Sequence, residues 1–296
     1  MHNIMIYSKK YCLLTILLLF YSCNTPDISF SQAKTLIEEK RYSKAIEILN
    51  KIVDKQPTFD SAYLARAHAF EMIGNTDEAF RDYDLLIAIS SNLRIRALEK
   101  RATLYYKIQK YENSINDLTK VISLDQNNYH AFYTRGILKM GYRNFKDDPF
   151  VIKTGDLTTA YIPYDYQSAL NDFNATIAIN PGFADVYSQR GKIFEDLGKK
   201  DSAIHDYNTA ISLDSNNFDA YLQRGIFYMT ANRNDQALSD FEKAITIKPN
   251  DPIPYINRGE LKKTYMNDKK GACADFKKAE QLGFQMSEEN KQFCDY

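Results

Sequence analysis

The sequence predicts an all-α protein built from stacked pairs of helices, and three observations carry that expectation. Six times an Arg followed by Gly or Ala is answered downstream by an Asp followed by an aromatic residue or Leu: Arg66 with Asp82, Arg101 with Asp117, Arg135 with Asp172, Arg190 with Asp206, Arg224 with Asp240 and Arg258 with Asp275. The Arg positions step by 34 residues (101 to 135, 190 to 224, 224 to 258) or 35 (66 to 101), a period that marks repeated supersecondary units. Between them, apolar residues recur at helical spacings of three, four and seven, as in Tyr187, Gly191 and Phe194 or Ala203, Tyr207 and Ala210.

Residues 1–22 stand apart from the array. Lys9 and Lys10 precede an uncharged run, Tyr11 to Tyr21, that ends at Ser22 and Cys23. The run is short of the roughly 20 residues that span a bilayer but fits a signal core of about 7 to 15 residues. Ser22-Cys23 resembles the cleavage and lipidation site of bacterial lipoproteins. That resemblance implies a mature chain beginning at a lipidated Cys23, anchored to a cell-envelope membrane and joined to the array by a short tether over 23–29; several acyl chains hold where one would not. The periplasmic and surface faces both stay open.

The array then occupies 30–283, in seven repeats near 26–59, 60–93, 95–128, 129–183, 184–217, 218–251 and 252–283. The first keeps Tyr42, Ala45, Leu49, Ile52 and Pro57 of the second-helix pattern but lacks the Arg and the Asp, as suits an end repeat with one face in solvent. The fourth pair is 37 residues apart rather than 16 (135 to 172), which places an insertion at about 142–163, with a small hairpin expected around Thr154-Gly155-Asp156. Gly136, Gly191, Gly225 and Gly259 recur where a neighbouring helix must approach closely; Gly74 and Gly198 read as turns between helices. Gly283 and Phe284 break the pattern, and Met286 to Phe293 reads as a closing helix within a C-terminal cap, 284–296.

Taken together, Tyr187, Arg190-Gly191, Phe194, Ala203, Tyr207, Ala210, and Tyr221, Arg224-Gly225, Tyr228, Ala237, Phe241, Ala244, Pro249 resemble the tetratricopeptide repeat (TPR), with Tyr or Phe usually in place of its Trp and Arg in place of its Leu. The resemblance implies a right-handed α-solenoid. It also implies a concave groove, lined by the first helix of each repeat, that receives a protein or peptide.

By phase the groove candidates are Leu64, His68, Tyr106, Tyr133, Ile137, Met140, Lys192, Leu222, Ile226 and Met229. The apolar ones are read equally well as packing against neighbours. Some TPR proteins clamp a C-terminal carboxylate with Lys and Asn; Thr103, Tyr106, Tyr133 and Ile137 stand where those groups would be wanted. The Arg and Asp series is read as structural, an ion-paired ladder between the helices of each repeat, with exposed pairs contributing about 0 to 1 kcal/mol each.

Cys273 and Cys294 fall at similar distances from the turn at Gly283-Phe284, so antiparallel helices would bring them together. In an oxidising compartment a disulfide is expected; two reduced thiols are the alternative. Two Cys without His partners fall short of a zinc site.

With 38 basic and 38 acidic residues the chain carries no electrostatic footprint for nucleic acid. His68, His130 and His205 lie in separate repeats without a catalytic motif, and no glycine-rich phosphate loop is present, so neither enzyme activity nor a cofactor is expected. The function read from the sequence is a membrane-tethered scaffold outside the cytoplasm that binds a protein or peptide and supports assembly of an envelope complex. Capture of a small nutrient or glycan, and a structural spacer, are the alternatives.

Overall fold

A computed structural model describes residues 26–141 and 166–294. The signal segment, Cys23 and the insertion expected over 142–163 lie outside the described residues. Within them the regular structure is fifteen helices: α1 (Pro26–Glu38), α2 (Tyr42–Lys55), α3 (Asp60–Met72), α4 (Thr76–Ile89), α5 (Arg94–Lys107), α6 (Tyr111–Leu124), α7 (Tyr129–Gly141), α8 (Tyr166–Ile179), α9 (Ala184–Asp196), α10 (Lys200–Leu213), α11 (Phe218–Thr230), α12 (Asn234–Ile247), α13 (Ile253–Thr264), α14 (Lys269–Gln281) and α15 (Glu288–Cys294). Odd-numbered helices up to α13 open a repeat, and the even-numbered helix after each closes it. Because Pro suits the first turn of a helix, α1 begins at Pro26, inside the stretch expected as tether.

The chain divides after Asp125 into two compact units. The first holds α1–α6 and is cored by Leu49, Tyr83 and Leu86, each fully buried. The second holds α7–α15, where Phe173, Tyr207, Phe241 and Phe276 are fully buried, one from the closing helix of each repeat. Burying a ring of this size contributes about 1.5–3 kcal/mol. In both units the closing helix of one repeat packs on the opening helix of the next, as α2 does on α3 and α10 on α11.

The turns inside the repeats share one device. Gly74 and Gly198 have φ of 79° and 71°, and the equivalent positions Lys40, Gln109, Asn232 and Asn267 adopt φ of 60°, 63°, 57° and 53°. After Gly198 the Lys199 N–H donates to the Phe194 carbonyl at 2.7 Å, and after Gln109 the Lys110 N–H donates to Tyr105 at 2.8 Å. These bonds satisfy carbonyls that the helix end leaves open. Only the two glycines were legible as turns, because Lys and Gln are held left-handed by the packing of both flanking helices.

At the far end Gly283 has φ of 91° and α14 gives way to α15. The closing helix starts at Glu288, two residues later than expected: Ser287 Oγ accepts the Asn290 N–H at 3.3 Å as its cap, while Met286 is buried beside Phe276. Cys273 and Cys294 are joined, with Cα atoms 5.6 Å apart, which ties α15 to α14. Lys263 pairs with Glu289 at 2.6 Å, and Asn290 Nδ2 donates to Glu260.

Candidate partner-binding surfaces

The Arg and Asp residues form a frame rather than a track. In all six pairs Arg Nε and Nη2 donate to the two carboxylate oxygens of its Asp, at 2.6–3.0 Å. The Asp side chains are 1–6 % exposed and the Arg side chains 12–19 %. This corrects the expectation of exposed pairs: the guanidinium fork is sheathed by rings, as Arg190 is by Tyr187 and Phe194 and Arg224 by Tyr221 and Tyr228. A desolvated bidentate pair is costly to break from one side, because the remaining charge is stranded.

The third guanidinium nitrogen leaves the repeat. Nη1 of Arg66, Arg190 and Arg224 donates to Asn50, Asn174 and Asn208 on the closing helix of the preceding repeat, at 2.9, 2.8 and 2.7 Å. Arg101 makes the corresponding bond to Asp84. Sequence reading missed these partners. The signal was present: Asp84, Asn174 and Asn208 each stand two residues after the repeat's Asp.

Two groove-facing carboxylates turn back into the frame. Tyr207 O–H donates to Glu195 at 2.8 Å, and Tyr83 O–H donates to Glu71. Burial pushes the Glu195 carboxyl above its ordinary range, against the hydrogen bond from Tyr207. The Tyr207 hydroxyl is raised by burial first and then by the Glu195 charge. Beneath these rings the opening helix carries a small residue. A Cβ on Gly225 would stand 2.6 Å from the Phe241 ring, and one on Gly191 2.7 Å from the Tyr207 ring.

What remains for a partner differs between the units. In the first, α1, α3 and α5 line a cleft of about 460 Å³ that includes the expected groove residues Leu64 and His68. Burial lowers the His68 imidazole below its usual pKa; Glu71 opposes this, and Lys100 and Lys107 reinforce it. Tyr106 is outside that cleft, 54 % exposed and 5.8 Å from the Tyr111 ring.

In the second unit the opening helices α7, α9 and α11 bring Asp185 and Asp219 close enough to act on Tyr133. Asn217 caps α11 by accepting the Ala220 N–H at 2.8 Å, accepts Ser188 Oγ–H at 3.0 Å and donates to Asp185 at 2.8 Å. Tyr133 stands half-buried against Phe183, ring centroids 4.9 Å apart, its hydroxyl pKa raised by burial and then by Asp185 and Asp219.

Leu222 is 7 % exposed and belongs to the core around Phe241, which is the packing alternative for that position. Ile226 and Met229 are partly buried against the same core, and Ile137 and Met140 against that around Phe173. Lys192 is exposed. Among the described residues no cluster of His, Cys, Asp and Glu is arranged to hold a metal, and no helix is long and apolar enough to cross a membrane.

Models of the tetratricopeptide repeat match residues 95–128, 184–217 and 218–251, the third, fifth and sixth helix pairs. The human mitochondrial import receptor subunit TOM70 is 31% identical over 115 residues, covering 38% of this chain and 19% of that protein. The rat protein is 28% identical over 165 residues, covering 54% and 24%. The chain thus spans a quarter or less of these relatives' length. Among solved structures, a tetratricopeptide repeat protein from Parabacteroides merdae ATCC 43184 superposes with a TM-score of 0.64 at 22% identity, over 91% of this chain and 97% of that one. The C-terminal part of a TPR repeat-containing protein from Cytophaga hutchinsonii gives 0.62 at 17%, over 89% and 98%.

Proposed function

We propose, from a fold that is a tetratricopeptide α-solenoid suited to protein–protein interaction, that this chain is a non-catalytic scaffold. It is tethered outside the cytoplasm through a lipidated Cys23, holds a protein or peptide on the faces of its opening helices, and supports assembly of an envelope complex. The observation that carries the binding part is the cleft of about 460 Å³, lined by the opening helices of three successive repeats. The Arg, Asp and most aromatic side chains are spent on the frame, so the residues left facing that cleft are free to vary with a partner. The likeness to an import receptor subunit over part of the chain supports a recognition role. The tether rests on Ser22-Cys23 after an apolar run. A Cys273–Cys294 disulfide suits an oxidising compartment.

Crosslinking in native membranes tests the scaffold, with the wild-type chain expected to recover a reproducible protein neighbour and its absence overturning the reading. Incorporation of labelled fatty acid, lost in Cys23→Ala, tests the tether.

A further inference from the structure

Resting on the partner-binding reading above, we propose that the cleft of the first unit receives an acidic peptide segment with one apolar anchor side chain. The floor of the cleft is apolar: Ile37 of α1 and Leu64 and Ala65 of α3 are half-buried there against the core of the unit. Its rim carries Lys34 of α1 and Arg96 and Lys100 of α5, all exposed. Its lining residues include no carboxylate; Glu71, which accepts from the lining Tyr83 and acts on His68, is paired with Lys107.

Local charge is the argument. The chain as a whole balances 38 basic against 38 acidic residues, and its interior cations are consumed in bidentate pairs. Lys34, Arg96 and Lys100 are different: among the described residues none of the three is held by a carboxylate within ion-pair distance. Three uncompensated positive charges around a low-dielectric floor focus potential into the cleft and favour an anionic occupant. A segment with carboxylates on both sides of a Leu or Phe would neutralise the rim while its apolar side chain covers Leu64 and Ile37.

An anionic bilayer has the same charge but the wrong shape. The apolar residues Ile37, Leu64 and Ala65 are half-buried in a cleft lined by three helices, a site for one side chain rather than for a planar surface. His68 also lines the cleft, near enough to Lys100 to be acted on by its charge.

The test uses the full mature chain in detergent and a fluorescent, acetylated and amidated hexapeptide of sequence DELFDE, read by anisotropy. Binding is expected to weaken about tenfold between about 50 and about 500 mM salt. The amide analogue NQLFNQ is expected to bind at least about tenfold more weakly, as is DELFDE to an Arg96→Glu, Lys100→Glu double variant whose melting temperature is unchanged. Equal binding of the two peptides, indifference to the double variant, or no binding of DELFDE overturns the proposal. So does binding to phosphatidylglycerol vesicles that the double variant loses while the peptide does not bind.

The two readings fail separately. If the double variant recovers the same crosslinked neighbour from native membranes as the wild type, the scaffold stands and the cleft assignment falls.

Discussion

Tyr207 donates its hydroxyl proton to Glu195 at 2.8 Å, and Tyr83 repeats that bond to Glu71 twelve residues earlier in its own repeat. The pairing is selective. Where the closing helix carries Leu118, Phe173, Phe241 or Phe276 instead, the facing position holds Tyr106, Met140, Met229 or Lys263, and never a carboxylate. A half-buried acid is tolerated only over a ring that can donate to it. Tyr207→Phe is therefore expected to destabilise the chain by about 1–3 kcal/mol, because Glu195 loses its donor. Adding Glu195→Met recreates the pairing of Phe241 with Met229 and should recover most of that loss in chemical denaturation. A double variant no more stable than Tyr207→Phe would contradict the pairing.

Gly225 and Phe241 give a second swap. A methyl group at Gly225 meets the Phe241 ring at 2.6 Å, so Gly225→Ala should lose about 1–3 kcal/mol to overpacking, offset by about 1 kcal/mol of helix preference. The third repeat shows the compensated form, Ala102 over Leu118. Gly225→Ala with Phe241→Leu should therefore melt above Gly225→Ala alone.

Arg224 holds Asp240 with two nitrogens and Asn208 with the third. Arg224→Ala strands a buried carboxylate and should cost on the order of 2–4 kcal/mol. Asn208→Ala removes only the link to the preceding repeat and should cost about 1 kcal/mol. Denaturation curves showing equal losses would place the stabilisation in the inter-repeat bond instead.

His68 sets a pH dependence. Its folded pKa lies below the ordinary 6.5, burial being the main cause, so the unfolded chain takes up a proton first as pH falls. Stability of the first unit is then full above the unfolded pKa and declines as pH drops from about 6.5 through the folded value. Measured by urea titration across that window, His68→Gln should flatten the decline; an unchanged slope assigns it to other groups.

How much of this was legible follows from where each signal lies in the chain. The repeats, the ladder and the approach of Cys273 to Cys294 were readable because residue type recurs at fixed spacing. The positive φ of Lys40 and Gln109 was hidden, since neither residue prefers that region and tertiary packing imposes it. Leu222 stayed open between groove and packing because phase tells which helix face a residue lies on, not whether a neighbouring side chain covers it. The cleft in the first unit depends on Lys34, Arg96 and Lys100, 66 residues apart at the extremes, 34 to 100, and carries no local motif at all.

The bond from each Arg to the preceding repeat has a consequence for how the array opens. If the closing helix carrying Asn208 lifts away, Arg224 loses a partner in a repeat that is otherwise intact; the same holds for Asn174 with Arg190 and Asn50 with Arg66. An opening event is therefore not contained at a repeat boundary but weakens the next repeat, so that hydrogen exchange should report a few large blocks rather than seven independent ones. The guanidinium that holds one hairpin together also makes it sense the state of its neighbour.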